Sequence, residues 1–139
     1  MLRRLIGVLL VFGGGDGLLK VVNTLSNPLS STQVFANILF FLLFTWAIIT
    51  GILVIENQSK GWLWAKILFL IQIPIVKTSF INYKFMVGLD WSADFATTQI
   101  TFRYSSGADY SLDLFTNHAL SLGVNIVALI LFLLIWRRE

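Results

Sequence analysis

Hydrophobic residues in this chain fall into four long runs with few charges, and between the third and fourth runs the pattern changes from continuous to alternating. The runs cover about residues 5–22, 34–55, 62–80 and 119–136. Each has roughly the 17 to 25 residues that a helix needs to cross about 30 Å of hydrocarbon. The first is interrupted by Gly13-Gly14-Gly15-Asp16-Gly17 and by Lys20, and the third contains Lys66, Gln72, Pro74 and Lys77. The fourth stops at Arg137-Arg138-Glu139. A competing reading takes Arg3-Arg4 and the apolar residues after them as a cleaved signal peptide. It is disfavoured because no Ala-x-Ala-like site follows and Leu18, Leu19, Val21 and Val22 continue the apolar pattern.

Residues of about 83–115 do not read as helix. Phe85, Val87 and Leu89 alternate with polar or small neighbours, as do Ile100, Phe102 and Tyr104, and then Tyr110, Leu112 and Leu114. Side chains two apart share one face of a strand, so this period predicts strands. Ser105-Ser106-Gly107-Ala108-Asp109 reads as the turn between two of them. The expected sheet lays Phe102, Tyr104, Leu112 and Leu114 over the helix ends or the bilayer surface and turns Gln99, Thr101, Arg103 and Asp113 outward. The fold class expected is an α-helical integral membrane protein. It is a four-transmembrane-helix bundle with a small extracytoplasmic antiparallel β-meander between helices 3 and 4, one domain over residues 1–139.

Composition agrees with this pattern: 57% of residues are hydrophobic, 12% are charged, and the mean hydropathy is +0.82. A soluble domain of this size has one core to fill, too little for four such runs, so lipid is the expected solvent. The net charge of +3 comes from scattered basic residues with no run longer than two, which argues against nucleic acid. The chain has no cysteine and a single histidine, so thiolate chemistry is excluded and no metal or cofactor is expected. Arg3, Arg4, Lys60, Arg137 and Arg138 fall on one side of the predicted spans, while residues 82–118 hold four aspartates against Lys84 and Arg103. Cytoplasmic loops carry the positive excess, which predicts cytoplasmic termini and, in a bacterial cell, an inner-membrane location. This layout is similar to that of disulfide-generating membrane oxidoreductases, but without cysteine the likeness is one of layout only.

An ionisable residue inside a span costs several kcal/mol on insertion scales and calls for a partner. Asp16 and Lys20 lie one turn apart and can pair, and Gly13 and Gly17 on the same face allow close helix packing. By helical rise, Asp16, Lys20, Asn37, Gln72, Lys77, His118 and Asn125 all fall toward the outer half of the predicted bundle. They form a candidate polar cluster. In the structural reading Asp16 neutralises Lys20, the amides bond between helices, Lys77 snorkels to headgroups and Lys66 anchors the inner interface. Asp113, His118 and Ser121 are hydrolase-triad residue types without a Gly-x-Ser-x-Gly elbow. Asp90 and Asp94 read as a solvated turn without calcium-loop spacing. The expected function is non-enzymatic: an accessory, assembly or protective (immunity-type) subunit whose partners are the lipid bilayer and a membrane or extracytoplasmic protein, or a second copy. The rivals are a transport or channel component using the polar cluster, and a lipid-headgroup enzyme using Asp16, Lys77 and His118.

Overall fold

In the computed structural model α1 (Leu2–Leu25) and α2 (Ser31–Ile55) form an antiparallel hairpin, and each is long and apolar enough to cross a membrane. The structure describes residues 1–115, 117 and 119–137; His118 and Arg138 lie outside the described residues. α2 begins at a capping box in which Ser30 Oγ accepts from Gln33 N and the Gln33 side chain accepts from Ser30 N. Small residues bring the two helices together: a Cβ on Gly7 or Gly14 would overlap α2 at Gly51, Ile55 or Ile48, and one on Gly17 would enter the Phe44 ring. Of the predicted small-residue pair, Gly17 thus meets a helix. Gly13 meets a strand, at Val87 and Gly88.

α3 (Ser59–Gln72) packs on α2, and α4 (Ile126–Trp136) packs on α3, so the helices stand in a row. Lys66 of α3 is buried, with its ammonium 5.5 Å from the centre of the Trp136 ring in α4. Arg3, Arg4, Lys60 and Arg137 therefore gather at one end of the row, because α1, α2, α3 and α4 alternate in direction.

The third and fourth apolar runs are helical for only part of their length. α3 and α4 have 14 and 11 residues, about 21 and 17 Å of rise, and neither crosses 30 Å alone. Residues 74–77 form β1 (Pro74–Lys77) and residues 121–125 form β4 (Ser121–Asn125), which pair with each other in antiparallel register from Pro74↔Val124 to Lys77↔Ser121. The proline explains the first break: its ring and missing N–H end a helix, and the β-branched Ile75 and Val76 continue as strand. At the second, Asn125 caps α4, its Oδ1 accepting from Ala128 N at 3.1 Å.

An antiparallel sheet lies between the third and fourth helices, as the alternation predicts, but its strands divide differently. β2 (Ile81–Ala96) and β3 (Ile100–Leu114) form one long hairpin paired from Ile81↔Leu114 to Phe95↔Ile100. Residues 105–109 are thus strand and not a turn. The sheet order is β1-β4-β2-β3, with a further β1–β2 pairing at Val76↔Tyr83 and Lys77↔Asn82. β1, β2 and β4 are each antiparallel to the other two. That is possible only if β2 reverses direction between residues 83 and 92. The bend is at Gly88 and Gly107, which face each other in register with φ of +94° and +100°. Only glycine adopts such angles without strain, and here both strands fold back together. Contacts across the fold agree: Lys84 Nζ lies 3.2 Å from Asp90 Oδ2, and Ser105 Oγ 3.8 Å from Met86 Sδ. Six residues of straight strand would hold Lys84 and Asp90 about 20 Å apart.

Folding back gives the sheet an inner face and an outer face. Asn82, Lys84, Met86, Asp90, Ser92 and Asp94 share the inner face with Arg103, Ser105, Asp109 and Asp113 of β3. The outer face is apolar. Near the bend it packs on the helices through Phe85, Val87, Ala108 and Tyr110, where the Phe40, Phe44, Phe85 and Tyr110 rings lie 4.8–6.5 Å apart. Toward the hairpin tip it is uncovered, with Phe102 67% and Tyr104 73% exposed, and at the far end of β3 Leu114 is exposed as well. This corrects the expected burial of Phe102, Tyr104 and Leu114 under the sheet. The fold encloses Lys84, Asp90, Ser92 and Asp94 on the polar side and leaves the apolar side outward toward the tip.

Candidate functional site: the inner face of the folded sheet

The predicted intramembrane cluster does not come together: Asp16, Lys20 and Gln72 attach helices to sheet backbone, and the other described members have separate places. Asp16 and Lys20 pair at 3.0 Å, and together they grip one residue of β3: Asp16 Oδ2 accepts from Ala108 N at 2.7 Å and Lys20 Nζ donates to Ala108 O. β3 is the last strand of the sheet, so these backbone groups face away from β2. A helical ion pair supplies the donor and acceptor that a neighbouring strand would have supplied. Ala108 stands opposite Val87 in the ladder, and the outward Val87 N donates to Gln72 Oε1 at 3.0 Å. Gln72 is 1% exposed. Asn37 Oδ1 accepts from the Tyr110 hydroxyl at 2.9 Å, with Thr24 Oγ1 3.2 Å from that hydroxyl. Asn125 caps α4, and Lys77 lies on β1 opposite Asn82 and Ser121. His118 lies outside the described residues, so neither the triad nor the headgroup site that includes it is described.

The charged residues that do come together are on the inner face of the sheet. Lys84 Nζ reaches Asp109 Oδ2 at 2.8 Å as well as Asp90 Oδ2. Ser92 Oγ lies 3.4 Å from the same Asp90 oxygen, and Asn82 Nδ2 donates to Asp113 Oδ2 at 3.1 Å. Arg103 forms an ion pair with Asp94. Asp90 is 1% and Asp94 5% exposed. Leaving a carboxylate buried is costly unless cations and donors surround it, and each of these has one such oxygen. The other oxygen of each does not: Asp90 Oδ1, Asp94 Oδ1 and Asn82 Oδ1 are sealed from solvent with no hydrogen-bond partner among the described residues.

No protein-family model matches this chain, and no curated protein or solved structure shows a likeness to it. Function therefore has to be argued from the inner face and the surfaces around it. Of the predicted sheet-surface residues, Gln99 and Thr101 are exposed near the hairpin tip. Arg103 is 45% exposed in its side chain and paired, and Asp113 is partly buried. Asp90 and Asp94, expected in a solvated turn, are instead buried mid-strand. Their signal was present in the sequence: Lys84, Asp90, Ser92 and Asp94 are all even-numbered, so they lie on one strand face opposite Phe85, Val87 and Trp91.

Proposed function

We propose that this chain is a non-enzymatic integral membrane protein with cytoplasmic termini, acting as an accessory subunit of another membrane protein. In this reading the folded sheet is set into the outer half of the bilayer. α1 and α2 cross completely, while α3 with β1 and β4 with α4 cross as helix-plus-strand units. The observation that carries it is the inversion of the sheet, with apolar side chains outward and polar ones enclosed, which is the pattern of strands in lipid and the opposite of strands in water. Side-chain alternation that puts Trp91, Phe95, Ile100, Phe102 and Tyr104 outward has no other evident use. The gathering of Arg3, Arg4, Lys60 and Arg137 at one end supports the orientation.

The partner follows from the edge of β3. Asp16 and Lys20 close that edge at Ala108, but along residues 100–106 the edge of β3 that faces away from β2 has no strand beside it among the described residues. An open strand edge is not tolerated in hydrocarbon, where each unpaired backbone group costs several kcal/mol. A protein segment lying along this edge meets that demand. Cysteines introduced singly at Gln99 and Phe102 test the placement. Gln99→Cys should react with an impermeant maleimide from the external side, and Phe102→Cys only after detergent is added. Equal, rapid labelling of both would place the sheet in water and end this reading. A photo-crosslinking residue at Tyr104 should then yield one defined protein adduct, whereas lipid adducts alone would remove the subunit role.

A further inference from the structure

We propose that an open cavity beside Lys20 binds the phosphodiester of an anionic phospholipid from the outer leaflet. The inference rests on the bilayer placement proposed above, which the Gln99→Cys and Phe102→Cys labels report separately.

The cavity has a volume of about 460 Å³ and is lined by Lys20, Asn23, Thr24 and Tyr110. Lys20, Asn23 and Thr24 are spaced by three and four residues, so they share one face of α1, and Tyr110 adds a wall from β3. All four carry polar groups, and there is no carboxylate among them. In the proposed placement Lys20 lies about 7 Å below the outer end of α1, beneath the usual level of the headgroups. Its side chain is nevertheless 49% exposed. A half-exposed ammonium at that depth is costly against hydrocarbon. A polar group drawn down from the headgroup layer removes that cost, and an acyl chain does not.

The hydrogen-bonding capacity of the lining decides the class of ligand. An ammonium has three protons to donate. Lys20 directs its ammonium at Asp16 and at Ala108 O, which leaves a third proton without a partner among the described residues. The Asn23 amide adds further donors to the same cavity. The two hydroxyls are already spent as donors, Tyr110 on Asn37 Oδ1 at 2.9 Å and Thr24 on Lys20 O at 2.8 Å. Their oxygens are therefore acceptors toward the cavity. Lys20 and Asn23 suit phosphate oxygens, and the Thr24 and Tyr110 oxygens suit hydroxyl groups on the same headgroup. A glycerol headgroup supplies such hydroxyls and adds no cation. An ethanolamine headgroup brings an ammonium for which the lining holds no carboxylate. Asp16, one turn below Lys20, is not part of the lining, and its Oδ2 is held by Ala108 N.

The experiment titrates the purified full-length protein in detergent with dioleoylphosphatidylglycerol, dioleoylphosphatidylethanolamine or inorganic phosphate. Thermal unfolding and, by native mass spectrometry, the number of bound lipids are read. One phosphatidylglycerol per chain and a saturable rise of several degrees are expected, with weaker saturation by phosphatidylethanolamine and none by phosphate at the same concentrations. Asn23→Asp places a carboxylate in the cavity without touching the contacts among Asp16, Lys20 and Ala108. It should raise the half-saturating concentration of phosphatidylglycerol by at least about tenfold, the worth of one charged hydrogen bond. Lys60→Gln makes the same change of charge at the cytoplasmic end and should leave that concentration unchanged. Should Asn23→Asp fail to fold, a phosphatidylglycerol with a photoactivatable headgroup decides on the wild-type protein, with adducts expected within residues 20–24 or at Tyr110. Equal saturation by the two lipids, saturation by inorganic phosphate, or an unchanged half-saturating concentration in Asn23→Asp would each overturn the proposal. So would adducts confined to the cytoplasmic ends of the helices. Any of these results with Phe102→Cys still shielded would remove the lipid site and leave the placement standing.

Discussion

At the scale of single residues, Asp16 and Lys20 show how far spacing alone carries an argument. Their separation of four identifies the pair, but their third partner, the Ala108 backbone, lies 88 residues from Lys20 and leaves no mark in the sequence. That partner changes what mutation should do. If the two merely neutralised each other, removing both would cost less than removing one. Here Lys20 is about half exposed, so once left alone its ammonium stays hydrated or snorkels, and each partner holds a different Ala108 group. Asp16→Ala should therefore lower stability by about 1.5–3 kcal/mol, the worth of a hydrogen bond to a charged group. The Asp16→Ala/Lys20→Ala double variant should be lower still, and Asp16→Asn, which keeps an acceptor oxygen, should lose least. Thermal unfolding of the three in detergent checks this order, and recovery in the double variant would contradict it.

Among the elements, the two glycines of the bend carry the largest conformational demand. Gly107 has φ of +100°, and a Cβ on it would sit 2.6 Å from Asp16 Oδ2. Gly107→Ala should therefore cost at least about 1–2 kcal/mol in backbone strain alone and also disturb the grip on Ala108. Gly15, on α1, has nothing near its missing side chain. Gly15→Ala should stabilise the helix by up to about 1 kcal/mol, and the opposite signs of the two changes in one unfolding assay are the test. The alternation of residues 81–96 and 100–114 was legible because period two has one meaning. The fold-back was not, since Ser105-Ser106-Gly107 is as good a turn as it is a bend in a strand. Likewise the third and fourth apolar runs satisfy the length rule for helices. Only the pairing of β1 with β4, 44 residues apart at Lys77↔Ser121, makes strand the better choice for their outer portions.

For the molecule as a whole, hydropathy and the sidedness of basic residues set the expected class, since both are sums over many positions and tolerate local error. The candidate site was only partly legible. Asn37, Gln72 and Asn125 stand out in the sequence as polar residues within apolar runs, and in the structure each meets its own backbone or hydroxyl group and not the others. Asp90 and Asp94 read as a turn because their burial depends on the fold-back at Gly88 and, for Asp94, on β4, which sets Gly123 opposite it, and neither can be seen from the local pattern. The position of β4 also bears on how the protein is made. It is synthesised after every other strand, yet it lies between β1 and β2 in the sheet. Until residues 121–125 arrive, both of those strands keep an open edge, so the hairpin cannot complete its enclosure while the chain is still emerging. Biogenesis is thus committed at its final step. A chain ending at residue 115 should insert its first two helices normally and then be degraded, with a half-life several-fold shorter than the full chain's in a pulse-chase. A truncated product as long-lived as the parent would show that the earlier strands hold together without the last.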